Sequence, residues 1–317
     1  MANQNQSNVR DFFLIGFPGL PEKFYSLTSV AFFMIFIVSL YANLIVVILI
    51  LLRQHLHQPM YIIVGNLASS DLLFDVFTLP KIIGRYWFGD GSLLYSACFT
   101  QMFFVHYLST LDSFIIMVMA IDRYVAICKP LQYYAIISNR VVAILCLVFW
   151  IFAAAIGLGI TSLGLWLPYC GPNRVKSCFC SLTPVVVLSC VDSAPARRIG
   201  FIIAMIVHLC PLSFIVFSYF IIFSKMCSSN RTDSWHKAIY TCITHWFVIG
   251  LYFIPRLTVY TYNQIQLIPN ADVNVLLICV YTFVPHFTSP MIFCLRTQEI
   301  KKTLRNVIKQ VLGSKKK

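Results

Sequence analysis

Seven stretches of this chain are each apolar over the length that a helix needs to cross a lipid bilayer, which is about 20 residues. They cover residues 26–52, 61–83, 95–127, 141–163, 199–226, 238–259 and 273–295. The hydrocarbon core offers no water to unpaired backbone groups, so a spanning segment of this kind must be helical. The sequence therefore predicts an all-α membrane protein in which seven transmembrane helices form one bundle.

The composition excludes an ordinary soluble protein. Of the 317 residues, 59% are hydrophobic and only 11% are charged, whereas soluble domains have roughly 25% charged residues. The short intervals between the apolar stretches leave no room for a second domain. We therefore expect a single seven-transmembrane domain over residues 1–317. Its parts are an N-terminal segment at 1–25, the helix bundle at 26–295, and a tail at 296–317 with a short amphipathic helix.

The positive charge indicates how the bundle is oriented. The net charge is +13, and eight of the 24 Lys and Arg residues lie in residues 296–317. Because basic segments tend to stay in the cytoplasm, we expect the tail inside, the N-terminus outside and the protein in the plasma membrane. Asn5 begins an N-glycosylation sequon in the external segment. Most of the remaining basic residues lie between the apolar stretches or near their ends, which favours membrane lipids as partners over nucleic acid.

Five of the twelve cysteines fall on the predicted outer face, at the start of the third helix or in the loop before the fifth: Cys98, Cys170, Cys178, Cys180 and Cys190. Cysteines grouped in an oxidising compartment are typical of disulfides. Cysteines inside the helices are interpreted as buried free thiols. A bridge from the loop to Cys98 would hold the loop as a lid over the mouth of the bundle. The odd count leaves one external cysteine over.

An acid and a base stand next to each other where the third helix reaches the cytoplasm. An ion pair between Asp122 and Arg123 at this depth can hold a switch that a cytoplasmic partner opens. The alternative is that Arg123 only extends its charge to the lipid headgroups. The residues around this pair decide between the two interpretations.

Several short motifs follow one another along the chain. Residues 119–128 have the sequence MAIDRYVAIC, and the others are LHQPMY at 56–61, NLASSD at 66–71, SY at 218–219, KAIYTCITH at 237–245 and PMIF at 290–293. Together they resemble the odorant-receptor family of rhodopsin-like G-protein-coupled receptors over residues 17–304. The segment FPGL at 17–20 resembles the fish-like class of that family.

The resemblance implies a receptor that binds a small soluble molecule, an odorant, from outside and activates a heterotrimeric G protein inside. Asp122, Arg123 and Tyr124 match the motif at the G-protein coupling end. Phe293 stands where the family usually has Tyr, so we expect an altered basal activity or coupling strength. Neither enzyme chemistry nor an organic cofactor is implied, and the chain has no HExxH or P-loop motif.

The resemblance also implies a disulfide pattern for the outer face. By the family pattern the bridges are Cys98–Cys180 and Cys170–Cys190. Cys178 is additional to that pattern, so we expect it to be free or to compete.

Two acids lie at mid-membrane depth, where an ionised side chain costs about 2.5–3.5 kcal/mol unless it is paired. In related receptors the position of Asp71 takes part in a sodium site, and Asp112 lies where an acid commonly completes that site. A sodium ion bound by Asp71 and Asp112 is one interpretation. Protonated, hydrogen-bonded acids are the other.

One face of the third helix combines apolar surface with hydrogen-bonding groups, as a small-molecule pocket requires. Its residues are Met102, Val105, His106, Ser109, Thr110 and Ser113, at helical spacing. The alternative is helix packing, because Ser and Thr are also favoured where membrane helices approach closely.

The predicted ligand lies between the third, fifth and sixth helices beneath the loop. His106 is the expected polar anchor with Tyr260 facing it, and Met205, His208 and Gln264 are further candidates. Because no basic residue stands near Tyr260 at the outer end of the sixth helix, we expect a neutral or hydroxylated ligand. A protonated His106 is the exception that would allow an acid.

Two other kinds of membrane protein fit this sequence less well than an odorant receptor does. A receptor for an amine or peptide lacks support, because amine receptors need an acid at the level of Val105 and carry Cys-Trp-x-Pro where this chain has Tyr252-Phe253-Ile254-Pro255. A channel or carrier would need a continuous polar path through the bundle.

Overall fold

The computed structural model describes residues 9–227, 232–265, 270–296, 300–303 and 305. Its framework is a bundle of long helices: α1 Tyr25–Leu52, α2 Pro59–Phe88, α3 Tyr95–Cys128, α4 Asn139–Leu165, α5 Ala194–Cys227, α6 Thr232–Gln264 and α7 Ala271–Arg296. The predicted seven-helix bundle is confirmed. Most helices run past the apolar stretches that predicted them, because those stretches mark only the part within the hydrocarbon core.

Six of these helices are long and apolar enough to cross a membrane by their length and composition. The remaining long helix is α6, which carries Asp233, Lys237 and Arg256. It packs against α5 and α7 as part of the same bundle. Its residues 238–255 contain no Asp, Glu, Lys or Arg, so this helix too has an apolar stretch of about the length that a bilayer requires.

Helix α3 is the central element of the bundle. It contacts α2, α4, α5 and α6, so different faces of α3 meet different neighbours. Its middle is closely packed, and Leu111, Asp112 and Ser113 are fully buried. The face of α3 on which a polar residue lies therefore decides which neighbouring helix that residue contacts.

The outer end carries a small sheet that the hydropathy pattern did not predict. Strand β1, Asp11–Leu14, lies between β2, Ser92–Leu94, and β3, Arg174–Val175. It pairs antiparallel with β2 and parallel with β3. The N-terminal segment is thus hydrogen-bonded to the loop between α4 and α5, residues 166–193, which we call the lid loop.

A glycine turns the N-terminal segment from the sheet onto the bundle. Gly16 has φ of 72°, a conformation that L-residues with a side chain rarely adopt. The next residue, Phe17, donates its backbone N–H to the Tyr86 hydroxyl oxygen at 2.7 Å. A Cβ atom at Gly16 would clash with that hydroxyl.

Two predictions fall partly or wholly on residues outside the described ranges. The glycosylation site at Asn5 is one of them. The amphipathic C-terminal helix is the other, although residues 300–303 are helical.

Candidate functional site

A cavity of about 590 Å³ lies beneath the lid loop at the outer end of the bundle. Helices α3, α5, α6 and α7 form its walls, and the lid loop covers it. Its volume falls within the roughly 300–1,000 Å³ of small-molecule sites. The cavity can therefore hold a small organic molecule.

Five of the predicted ligand contacts line this cavity: Val105, His106, Ser109, Tyr260 and Gln264. The structure brings them together from α3 and α6, as the sequence analysis expected. Asn274, Ile278 and Tyr281 add a wall from α7 that the prediction had left out.

Four predicted contacts are not among the described lining residues: Met102, Thr110, Met205 and His208. Met102 is fully buried in a separate apolar cluster with Phe99 and Leu182. Successive helix residues point about 100° apart, so a cavity that takes Val105 and Ser109 from α3 reaches only part of the predicted stripe. The predicted stripe was therefore wider than the surface that α3 offers to the cavity.

His106 contacts the lid loop directly. The backbone N–H of Leu182, at the start of the one-turn helix Leu182–Val186, donates to His106 Nε2 at 3.2 Å. A ring nitrogen that accepts a hydrogen bond carries no proton, so the proton of this imidazole lies on Nδ1. His106 thus fastens the lid and keeps one donor for other partners.

Every charged side chain among the described residues that line the cavity is basic: Arg174, Lys176 and Arg197. Arg197 Nε is buried and has no hydrogen-bond partner within the described part of the chain. The described walls of the cavity therefore carry positive charge that no carboxylate among the described lining residues offsets.

A fourth basic residue, Arg256, lies just beyond the wall of the cavity. Its side chain is 1% exposed. It donates to the Tyr252 hydroxyl oxygen at 2.6 Å, and its guanidinium carbon lies 4.2 Å from the Tyr252 ring centroid and 5.4 Å from that of Tyr281. Tyr281 lines the cavity and lies between it and Arg256. The Tyr252 hydroxyl in turn donates to the Ser109 carbonyl at 2.6 Å.

Arg256 corrects one premise of the sequence analysis. No basic residue was expected near Tyr260, yet Arg256 precedes Tyr260 by one helical turn. The guanidinium nitrogen Nη1 of Arg256 also lies 3.5 Å from His208 Nε2. No carboxylate lies within ion-pair distance of Arg256 among the described residues. A buried charge without a counter-ion is costly, so this guanidinium favours an anion in its surroundings.

The lid loop is fastened by two disulfides, Cys98–Cys180 and Cys170–Cys190, each with Cα atoms 5.5 Å apart. These are the two pairs that the family pattern implied. Gln101 on α3 reinforces the Cys98–Cys180 connection, because its side-chain oxygen accepts from the Cys180 N–H at 2.7 Å. Its side-chain amide nitrogen donates to the Phe77 carbonyl. The lid is therefore tied to α3 by both covalent and hydrogen bonds.

At the inner end of α3, Asp122 and Arg123 have different partners. The Tyr133 hydroxyl donates to Asp122 Oδ1 at 2.6 Å. Burial and the adjacent carboxylate raise the pKa of Tyr133, so its hydroxyl stays protonated and keeps donating. Arg123 Nε lies 3.9 Å from Asp122 Oδ2, and the nearest partner of its guanidinium is the Met60 sulfur. Arg123, beside the half-buried Tyr124, is thus held only loosely.

The two predicted mid-membrane acids belong to a larger cluster. Possible ligand atoms of Asp71, Asp112 and His286 all lie within 4.8 Å of one another. His286 Nδ1 is 2.8 Å from Asp75 Oδ1, and its Nε2 is 3.6 Å from Asp71 Oδ1. Ser39 closes the far side, donating to Asp75 Oδ2 at 2.5 Å.

Asp75 and His286 were missed by the sequence analysis, although both carry a signal. Asp75 follows Asp71 by four residues and therefore shares its face of α2. His286, like Arg256, is an ionisable residue inside an apolar stretch, and such residues are functional candidates by default.

Comparisons with known proteins find relatives over nearly the whole chain. Residues 32–313 match the family model described as olfactory receptor. Olfactory receptor 6P1 of Homo sapiens is 32% identical, covering 97% of this chain and 96% of that protein. Olfactory receptor 1J2 of Homo sapiens is 34% identical, with 96% of each covered, and olfactory receptor 1E1 of Pan troglodytes is 33% identical, with 98% of each covered.

The fold also matches a solved structure. Squid rhodopsin superimposes with a TM-score of 0.74, covering 92% of this chain and 87% of that one, at 16% identity. At so low an identity this likeness concerns the fold alone.

Proposed function

The chain belongs to the olfactory receptor family and has the rhodopsin fold, and from this premise we propose that its outer cavity binds a small anionic odorant. It is a multi-pass membrane receptor of the G-protein-coupled type and not an enzyme. The observation that carries the ligand class is that every charged side chain among the described lining residues of the cavity is basic. This proposal replaces the neutral ligand that the sequence alone favoured.

Electrostatics support an anion, and a carboxylate is the simplest one. Its two oxygens can accept from Arg197, whose Nε has no partner among the described residues, and such bidentate pairs are among the stronger hydrogen bonds in proteins. Arg256, behind Tyr281, adds a positive charge in a region of low dielectric, where charges interact strongly. The Nδ1–H of His106 is a further donor at the α3 wall.

The ligand proposal predicts that the receptor distinguishes an acid from its uncharged analogues. We expect short straight-chain carboxylic acids to activate it and the matching primary alcohols and methyl esters to be weaker. Arg197→Met should raise the EC50 for the acids by about 10- to 100-fold, since a hydrogen bond to a charged group contributes about 1.5–3 kcal/mol. Arg256→Met should raise it less, because Arg256 is not among the described residues that line the cavity and acts on the ligand only through its charge. The measurement is agonist-stimulated nucleotide exchange on the G protein.

The neighbouring Arg198 provides a matched control. It carries the same charge but is exposed and does not line the cavity, so Arg198→Met should leave the EC50 unchanged. Alcohols as potent as the acids, or an unchanged EC50 in Arg197→Met at equal surface expression, would contradict an anionic ligand.

For the orientation, we propose that the N-terminus and the lid loop lie outside the plasma membrane and that the Asp122 end lies inside. Both disulfides are at the lid end, as an oxidising exterior favours. The basic tail favours the cytoplasm for the other end. Asn5 would then be available for glycosylation, membrane lipids would surround the bundle, and the heterotrimeric G protein would meet Arg123.

We also propose that the cluster around Asp71 holds a sodium ion. Neither carboxylate oxygen of Asp112 has a hydrogen-bond partner among the described residues, so this donor set fits a cation. Asp71 and Asp112 would hold the ion, which would supply positive charge among three buried carboxylates. His286, between Asp71 and Asp75, is the competing source of that charge.

Sodium should therefore stabilise the purified receptor. Replacing choline by sodium at equal ionic strength should raise Tm by a few degrees, because a ligand at several times its Kd contributes on the order of 1 kcal/mol. Asp112→Asn should abolish this rise.

Asp90→Asn is the control for that measurement. Asp90 lies in the loop after α2, and hydrogen bonds from Ser92 lower its pKa to about 2, so the substitution removes a full charge outside the bundle. A wild-type Tm that does not respond to sodium would contradict the sodium site and would leave His286, together with protonation of the acids, as the source of neutralisation.

A further inference from the structure

Cys178 is the lid-loop cysteine that neither disulfide uses, and its sulfur lies against a second thiol. The Sγ atoms of Cys178 and Cys279 are 2.9 Å apart, and both side chains are buried. The contact joins the lid loop to α7 across 101 residues of sequence. Bonded sulfur atoms lie about 2.05 Å apart, so an approach of roughly 1 Å would complete a bond.

Cys279 also resolves the odd number of cysteines on the outer face. Counting from the sequence left one external cysteine without a partner, because Cys279 lies inside an apolar helix and was interpreted as a buried thiol. The structure places Cys279 two residues before Tyr281, near the cavity at the outer end of α7. An unpaired cysteine on the exterior side of a protein is expected to find a partner or to stay reactive.

We propose that Cys178 and Cys279 form a third disulfide that fastens the lid loop to α7. In this step both thiols lose their protons, and the two sulfur atoms give up two electrons and form one S–S bond. A small-molecule or protein disulfide of the secretory pathway accepts the two electrons and two protons and leaves as two thiols.

The bond forms while the lid loop is still open. Burial, together with the neighbouring thiol of Cys279, raises the pKa of the Cys178 thiol well above its usual value. Since the thiolate is the reactive form, Cys178 exchanges slowly once the loop has packed. The bridge therefore forms during folding and then persists as a structural one.

The third bridge connects two walls of the ligand cavity. Cys180 is bonded to α3 through Cys98, and Cys178 precedes it by two residues, so the segment 178–180 would link α3 to α7. Phe179, between the two cysteines, lines the cavity and packs edge-on against Phe74 and Phe283. The bridge would fix the spacing of these walls and the position of Phe179.

The bridge can be tested on the purified full-length receptor without any ligand. Free thiols are blocked under denaturing, non-reducing conditions with light iodoacetamide, the protein is reduced, and the released thiols take heavy iodoacetamide. Mass spectrometry with fragmentation then locates each label. In the wild type Cys279 and Cys178 should carry the heavy label, whereas Cys146, a buried thiol of α4, should carry the light one.

Two variants separate this pairing from others. In Cys178→Ser, the label on Cys279 should change from heavy to light, while Cys98 and Cys180 stay heavy and so report correct folding of the lid. Cys178→Ser and Cys279→Ser should each lower Tm by a few degrees, and the double variant should lower it no further, because the two sites share one bond.

Two results would overturn the third disulfide. One is a light label on Cys279 in the wild type, which means that the two thiols are free. The other is a heavy label on Cys279 that persists in Cys178→Ser, which means that Cys279 is bonded elsewhere.

Discussion

Arg123→Ala is expected to abolish G-protein activation while the receptor stays folded at the cell surface. The reason is the unequal way in which the ion pair is held. Asp122 is fixed by the Tyr133 hydroxyl at 2.6 Å, whereas Arg123 Nε is 3.9 Å from Asp122 and its side chain is partly exposed. A loosely held guanidinium at the inner surface can bind a partner without breaking a strong bond first.

The expected loss is large because the partner would bury this charge. Truncating one member of a buried, hydrogen-bonded charge pair at an interface costs roughly 2–5 kcal/mol, which corresponds to about a 30-fold or greater drop in coupling. The measurement is nucleotide exchange on the G protein at matched surface expression, which an epitope tag at the N-terminus reports.

Arg140→Ala is the matched control for Arg123→Ala. Arg140 is an exposed basic residue in the first turn of α4, on the same inner face, so its removal changes the surface charge equally. We expect near-normal exchange in this variant. Normal exchange in Arg123→Ala would instead assign Arg123 to the lipid headgroups.

Cys98→Ser and Cys180→Ser are each expected to reduce the receptor at the cell surface at least about tenfold. This disulfide closes a chain separation of 82 residues, and losing a native disulfide typically costs about 2–5 kcal/mol. A change of that size exceeds the 1–2 kcal/mol that already alters protein abundance several-fold in cells. Flow cytometry of surface against total receptor measures the effect.

Two further cysteine variants make this result specific to the lid. Cys210→Ser removes a free, exposed thiol on α5 and should leave surface expression unchanged. Cys178→Ser should lower surface expression much less than Cys180→Ser, because Cys98–Cys180 and the Gln101 hydrogen bonds still hold the lid loop to α3. Surface expression of Cys180→Ser equal to that of Cys210→Ser would show that the lid folds without its tether to α3.

The sequence was informative wherever a property depends on local composition or on a short motif. Apolar length alone gave the seven helices, because the hydrocarbon core imposes both helix and length on any segment that crosses it. The charge of the last 22 residues gave an expected orientation, and the ordered motifs gave the family. His106 was assigned to one face of α3 with Val105 and Ser109, because helical spacing fixes which residues of one helix share a face.

The tertiary structure decided what depends on how the helices are rotated about their axes and on which loops meet. A helix that is apolar on most sides gives little periodic signal for the face that it turns inward, so the sequence could not place Arg256 of α6 beside His208 of α5. For the same reason it could not bring His286 of α7 to Asp71 and Asp75 of α2, or bring Cys178 to Cys279. The sheet of β1 to β3 has strands of four, three and two residues, too short for any alternating pattern, and only the long-range pairing of β1 with β2 and with β3 in the lid loop determines it.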